Sequence, residues 1–479
     1  MRLHHKSQSA LEYLMTYGWA ILIIVIVAVI LYSMGIFNPA SSVSFTSSGF
    51  SPFTVSSSSC NSIGYKVAVI AGPIPNNANS LQITKVYVIS ATGANVSNSA
   101  YILPFPVTLK SGQSAVIIVP NVACNAANVK YSFSAIIQYT YSVPSIGTQT
   151  INTSGTVAGT SIAGKPSILT SYEPLTITNT QTSATPSPFQ QMVNMTSTDP
   201  GWSSIATSNF AQNVEFFYYN GSVIPSWLEN YTSSRAIWWL KLPSISNSMV
   251  IYMGFAPLTT SLFNNVNTGE APQLSSTYAE YDDGANIFNF YDNFAGTVLN
   301  TSKWNILTNE NYSVDNKLIV YPGSFNAESK STVTDGLLLL YVEFQTNSTS
   351  PRGGGQSEFT GFINMTGSLF VFLSWSPYMQ SQTAFTSFCV TSCDHPIQPA
   401  SIRNLPELLQ VIYTSNSVTT EIDYNSPVSV AYPVASSQTA NIYIDAQPQT
   451  STNVIYNYMA YVYYPPNGVM PSVAFDSIS

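Results

Sequence analysis

Two hydrophobic periodicities divide this chain. Residues 17–37 are a nearly continuous run of Ile, Val, Leu, Ala and aromatic side chains, and no charged residue occurs between Tyr13 and Tyr65. About 20 such residues at ~1.5 Å rise cross a ~30 Å hydrocarbon core, so the run predicts one membrane-spanning helix, which Asn38-Pro39 ends. Beyond it the period becomes two. Residues 129–141 place Tyr131, Phe133, Ala135, Ile137, Tyr139 and Tyr141 on one face of a strand, and shorter strands are predicted at 65–71, 81–90 and 115–119. Apolar runs at 213–219, 236–243 and 249–255 follow, with Asn220-Gly221 as a hairpin turn. A third block adds strands at 317–321, 337–345, 358–364, 369–375, 409–413, 419–424, 441–446 and 455–464. Small and polar residues at 155–165, with Gly155, Gly159 and Gly164, predict a linker between the first two blocks.

The short basic leader, with Arg2, His4, His5 and Lys6, lies before the apolar run, so it should stay cytoplasmic while the remainder is exported. Glu12 stands where the helix begins. A carboxylate at a membrane boundary costs free energy unless it is neutralised, which makes it a functional candidate.

Lys6-Ser7-Gln8-Ser9-Ala10-Leu11-Glu12-Tyr13 followed by this helix resembles the class III signal peptide of archaeal type IV pilins. The resemblance implies cutting between Ser7 and Gln8 by a prepilin peptidase, although Ser7 stands where Gly or Ala is commoner. Glu12 then becomes the family's acid, which pairs with the amine of a neighbouring subunit during assembly. The implied partners are the prepilin peptidase, the pilus assembly platform, other pilin subunits through the N-terminal helix, and the membrane. An ordinary single-pass anchor explains the apolar run but not Glu12 or Gln8.

Composition narrows the classes. Charged residues make up only 8 % of 479 residues, the net charge is -8, and no basic patch recommends nucleic acid as a partner. So few titratable groups predict a weak dependence of stability on pH. Cys60, Cys124, Cys389 and Cys393 all follow the membrane segment. The economical disulfides are Cys60 to Cys124 and Cys389 to Cys393, among three possible connectivities, with a metal site at Cys389, Cys393, Asp394 and His395 as the rival for the second pair.

Residues 165–258 are similar in their order of elements to a domain-of-unknown-function family of prokaryotic surface proteins. Tyr291-Asp292-Asn293-Phe294 with Leu299-Asn300-Thr301-Ser302-Lys303-Trp304 resembles the opening of concanavalin A-like jelly rolls. Such folds include glycoside hydrolases, and Glu421-Ile422-Asp423 echoes their paired carboxylates by placing two acids on one strand face. The next residue on that face is Asn425, an amide that delivers no proton, so both acids are read as solvated and no catalytic residue is expected. Asp282, Asp283 and Asp292 match no calcium loop and are read as a solvated turn. Most of Trp202, Trp227, Trp238, Trp239, Trp304 and Trp375 are expected in the core.

The expected fold is mainly β with one N-terminal transmembrane α-helix. A leader at 1–7 and a helix at 8–38 precede a pilin-like β-sandwich headgroup at 41–163, a second β domain at 165–275 and a concanavalin A-like jelly roll at 276–479. The expected function is a minor, tip or adhesive subunit of an archaeal type IV pilus-like filament, resident in the cell membrane before assembly and at the cell surface after it. It would bind surface glycans, with no cofactor, no metal and no enzyme activity. The alternative is a membrane-anchored monomeric surface protein with a carbohydrate-binding or vestigial hydrolase domain.

Overall fold

The computed structural model describes residues 17–18, 21–26, 45–74, 78–97, 100–124, 126–144, 146–207, 210–309, 311–346, 358–364, 369–376, 383–389, 393–394, 397–401, 407–414, 417–431, 439–446, 448, 452–465 and 468–479. They form two compact units, residues 1–166 with 219–221, and residues 167–218 with 222–479. The described residues of the apolar segment are helical, with Tyr17 and all of 21–26 exposed. Among the described residues no helix is long and apolar enough to cross a membrane. Ser7, Gln8 and Glu12 lie outside them.

The first unit pairs a five-stranded sheet, in the order Thr46–Gly49, Gly147–Thr160, Lys130–Val143, Leu81–Thr92, Ala100–Leu109, with a three-stranded sheet of Phe53–Cys60, Tyr65–Ala71 and Ser114–Val119. Period-2 alternation does the sorting. In Tyr65–Ala71 every odd position is buried, and in Lys130–Val143 the residues Tyr131, Phe133, Ala135, Ile137 and Tyr139 face the same core. The disulfide joins Cys60 to Cys124, both fully buried beside Val119 and Val122, with Cα atoms 5.6 Å apart.

The strand Gly147–Thr160 takes up the first half of the expected linker at 155–165, and only 161–165, next to the division at 166/167, run outside any strand. Gly155 and Gly159 lie inside the strand Gly147–Thr160, where they make room for aromatic rings: a Cβ on Gly155 would meet Phe50 Cδ2 at 2.3 Å, and one on Gly159 would meet the Tyr131 hydroxyl at 2.7 Å. These glycines serve close approach between a strand and a ring, which composition alone reads as flexibility.

The second unit holds two sandwiches. One packs a sheet of Val223–Ile224, Val214–Phe217, Ser248–Phe255, Ser171–Thr178 and Ser472–Phe475 against a sheet of Phe189–Thr196, Arg235–Leu242, Ser226–Tyr231 and Thr268–Glu270. The other packs two eight-stranded sheets around Leu318, Val320, Leu338, Leu340, Val411 and Ile442, in a jelly-roll-like arrangement. Strands from Ser171–Thr178 to Thr268–Glu270 lie in the first sandwich and those from Phe290–Asp292 to Thr452–Tyr463 in the other, with one strand outside this order. Ser472–Phe475 returns to pair with Ser171–Thr178, with Leu175 opposite Phe475 and Ile177 opposite Val473. Val473 and Phe475 pack on the first sandwich's core, so apolar contact decides where this strand belongs.

Candidate functional site

One sheet of the jelly-roll-like sandwich is apolar on both faces. In Gly336–Thr346 Leu338 and Leu340 enter the sandwich core, whereas Leu337 and Leu339 point the other way and meet Trp227, Trp239, Phe288 and Tyr458. A strand covered on both faces loses its apolar and polar alternation, which explains the unbroken run of four leucines. Trp227 stands edge-on to Phe288 at 5.1 Å and to Tyr458 at 5.2 Å. Trp227, Trp238, Trp239 and Trp304 are all buried, and Trp202 is half-buried and stacked on Tyr231, so these tryptophans pack rather than display rings. The Trp375 side chain lies outside the described residues.

The paired-acid strand is corrected. Ser417–Ile422 stops one residue short, and Asp423 and Tyr424 take positive φ values of 49° and 58° in a two-residue turn closed by the pairing of Ile422 with Asn425. Glu421 and Asp423 therefore share no strand face. Asp423 instead accepts from the Leu408 amide at 3.0 Å.

The three aspartates are corrected as well, because they are structural rather than a solvated turn. Asp282 accepts from Trp227 Nε1 at 2.9 Å, Gly284 N at 2.9 Å, Tyr291 Oη at 2.7 Å and Asn293 Nδ2 at 2.7 Å. Asp292 accepts from Trp304 Nε1 at 2.6 Å and Phe294 N at 3.2 Å, and pairs with Lys303 Nζ at 3.5 Å. The four donors on Asp282 meet all the acceptor sites a carboxylate has. Asp283 is 3 % exposed and neither of its oxygens has a partner. Among the described residues no group of three or more His, Cys, Asp or Glu converges on a metal site. Cys389 and Cys393 sit directly opposite each other in register; their side chains lie outside the described residues.

Burial leaves several carboxyls short of charge partners. Desolvation pushes Glu173 up to about 7, opposed by the Gly201 amide and reinforced by Asp199 and Asp476. It pushes Asp283 up to about 8, with Asp282 adding to the shift and Lys241 opposing it. These raised carboxyls predict a pH dependence of stability that the low count of charged residues did not suggest. A chain poor in charge still titrates strongly when the few acids it has are buried.

The second sheet of the same sandwich presents a polar outer face. Phe325, Ala327 and Ser329 point inward from Phe325–Val333, which turns Asn326 and Glu328 outward. Ala440, Ile442, Ile444 and Ala446 do the same in Ala440–Ala446, leaving Tyr443 and Asp445 outward. Register assembles them into a patch, since Glu328 lies opposite Tyr443 on one side and Asn305 on the other, Asn326 lies opposite Asp445, and Gly361 follows Tyr443 on the next strand. Asn305 Nδ2 donates to Glu328 Oε1 at 2.8 Å, Asn326 Nδ2 donates to Tyr443 Oη at 3.0 Å, and Ser324 Oγ donates to Asn326 Oδ1 at 3.0 Å. Glu328 Oε2 is buried with no partner. Burial, with Asp445 and Glu328 adding, raises the Tyr443 phenol above its ordinary value, so it remains a neutral donor.

This arrangement can recognise a hydroxyl-rich ligand. It offers fixed amides and carboxylates as partners for hydroxyls and a half-buried ring beside a residue without a side chain. Sequence reasoning found the strand at 441–446 but none of these side chains, because they become neighbours only through cross-strand register. Their one local signal is polarity at the non-core positions of Phe325–Val333 and Ala440–Ala446.

A model of a family described as a domain of unknown function, DUF2341, matches residues 211–307, less than half of the chain. The match lies further along than the expected 165–258 and runs across the boundary at 275/276. The uncharacterized protein 562 of Sulfolobus islandicus rod-shaped virus 1 is 35 % identical over 132 residues, 26 % of this chain and 22 % of that protein. The chain thus matches about a fifth of the length of this curated relative. Among solved structures, a glycosyl hydrolase family protein from Mycobacterium fortuitum has 12 % identity and a TM-score of 0.30, covering 36 % of this chain and 99 % of that one. A β-glucanase from Bacillus licheniformis has 13 % identity and a TM-score of 0.29, covering 36 % and 97 %. Scores at this level carry no argument about chemistry.

Proposed function

We propose that this chain is a membrane-attached, surface-displayed protein that binds glycans without cleaving them. The observation that carries the reading is the outer patch of Asn305, Asn326, Glu328, Tyr443 and Asp445, with its unpartnered Glu328 oxygen. The paired-acid motif supports binding over hydrolysis, because its two carboxyls are split between a strand and a turn. Attachment rests on residues 17–26, whose described side chains are apolar all round and exposed, as lipid contact requires. A glycan array probed with the full chain tests the binding, with Tyr443→Ala and Glu328→Gln each expected to weaken retained ligands by about tenfold or more. Retention of no glycan, or equal retention by both variants, rejects it.

Assembly into a pilus-like filament, with cutting between Ser7 and Gln8 and Glu12 meeting a neighbour's amine, is the narrower form of this reading. The same exposed apolar helix favours it, since bundled copies would cover that surface as lipid does. Sequencing of the mature N-terminus decides between a chain starting at Gln8, as a filament subunit requires, and one starting at Met1, as an uncut anchor does.

A further inference from the structure

Glu229 is the most enclosed acid at the apolar seam that covers Leu337 and Leu339. It extends from Ser226–Tyr231, at the register shift between Leu228 and Asn230, and is 2 % exposed. Its Oε2 accepts from Trp239 Nε1 at 2.6 Å and from Tyr424 Oη at 2.5 Å, and Tyr424 belongs to the jelly-roll turn on the opposite side of the seam. Its Oε1 is buried with no partner. The Tyr458 hydroxyl, in the facing strand Thr452–Tyr463, is also buried without a partner.

The charges around Glu229 do not neutralise it. From its neighbouring strand comes Arg235, whose guanidinium carbon lies 5.0 Å over the Tyr424 ring while its Nε donates to Asn194. From the facing turn come Tyr424 and Asp423, the latter repelling a negative charge on Glu229. From the facing strands come Tyr458 and, stacked on it at 5.6 Å, Tyr341. Asp282 also acts on Tyr458. Arg235 is the single cation among these groups, and a phenol ring intervenes.

We infer that Glu229 is a proton-operated latch: protonated, it lets the two sandwiches of the second unit close over the apolar face of Leu337 and Leu339, and deprotonated, it loosens that closure. The physical reason is desolvation. A neutral carboxyl accepts both donors at Oε2 and leaves one uncharged Oε1–H in an apolar seam, whereas a carboxylate places a full charge there with no direct cation. Burial raises this carboxyl from its ordinary 4.5 to about 7, opposed in part by the Tyr424 and Trp239 hydrogen bonds and by Arg235. The folded chain therefore holds more protons than the unfolded chain between these values, and closure weakens as pH rises through that window.

Hydrogen exchange of the full chain at pH 5 and pH 8, corrected for the intrinsic chemical rate, tests the latch. Exchange at 226–231 and 336–342 is expected to quicken about tenfold or more at pH 8 relative to strands of the first unit, while Glu229→Gln abolishes that pH dependence. Tyr424→Phe supplies a second arm. By removing a donor that favours the carboxylate, it should steepen the change. Equal protection of the seam at both pH values in the native chain, or an unaltered pH dependence in both variants, overturns the inference.

Discussion

The ring of Phe50 covers the backbone of Gly155, so that a Cβ on this glycine would sit 2.3 Å from Phe50 Cδ2 and 2.5 Å from the Ser48 carbonyl oxygen. Phe50 is 2 % exposed and its amide donates to the Ser154 carbonyl at 2.9 Å, which leaves the ring nowhere to go. Gly155→Ala should therefore destabilise the first unit by about 1–3 kcal/mol, as overpacking does. Thermal unfolding measures it. An unchanged midpoint would show that the strand can move away from the ring.

The disulfide Cys60–Cys124 closes a loop with a sequence separation of 64. Chain entropy alone assigns such a cross-link about 4 kcal/mol, and measured effects commonly fall at 2–4 kcal/mol. Cys124→Ser should lower the unfolding free energy of the first unit by about 2–4 kcal/mol, read from the shift of its denaturant midpoint multiplied by the m-value. The second unit should be unaffected, and a shared loss would mean that the two units unfold together.

Asp283 carries the largest pH effect expected in the second unit. Its carboxyl has no hydrogen-bond partner and is raised from 3.8 to about 8, so the folded chain binds the extra proton throughout this interval. Stability should be greatest below about pH 4 from this group and fall progressively up to about pH 8. Asp283→Asn should flatten the profile and raise stability at pH 9 by at least about 2 kcal/mol. A profile that rises with pH, or one the substitution leaves alone, would falsify the assignment.

Removal of residues 472–479 should weaken the sandwich that contains Ser171–Thr178, because it strips one neighbour from that strand and the half-buried Val473 and Phe475 from its core. The lost apolar contact and ladder bonds together suggest about 2–3 kcal/mol. Circular dichroism melting of the truncated chain checks this. The predicted consequence beyond stability is a bare edge at 171–178, which should increase self-association in sedimentation experiments.

Which positions face a core was legible along the chain wherever one face of a strand meets water. Tyr131, Phe133, Ala135, Ile137 and Tyr139 follow from a period of two, and the pairing of Cys60 with Cys124 was the economical choice among three. Period-2 logic is local, because successive side chains of a strand must point to opposite faces. Three features depend on which distant segments meet, and none of them can be read from a window of neighbours. Gly155 and Gly159 look like a linker until Phe50 and Tyr131 lie across them. Glu328 and Tyr443, over a hundred positions apart, become one patch only through strand register, and Glu229 becomes a buried acid only when Tyr424 closes over it. Glu421-Ile422-Asp423 is a local case and stands apart from these three, since Ile422 pairs with Asn425 only three positions on and the two residues between them turn. The sequence by itself determined the parity of each strand, whereas the tertiary structure decided which faces met. Side-chain direction is set by adjacent peptide units, but desolvation and register are set by partners that the chain brings from far away.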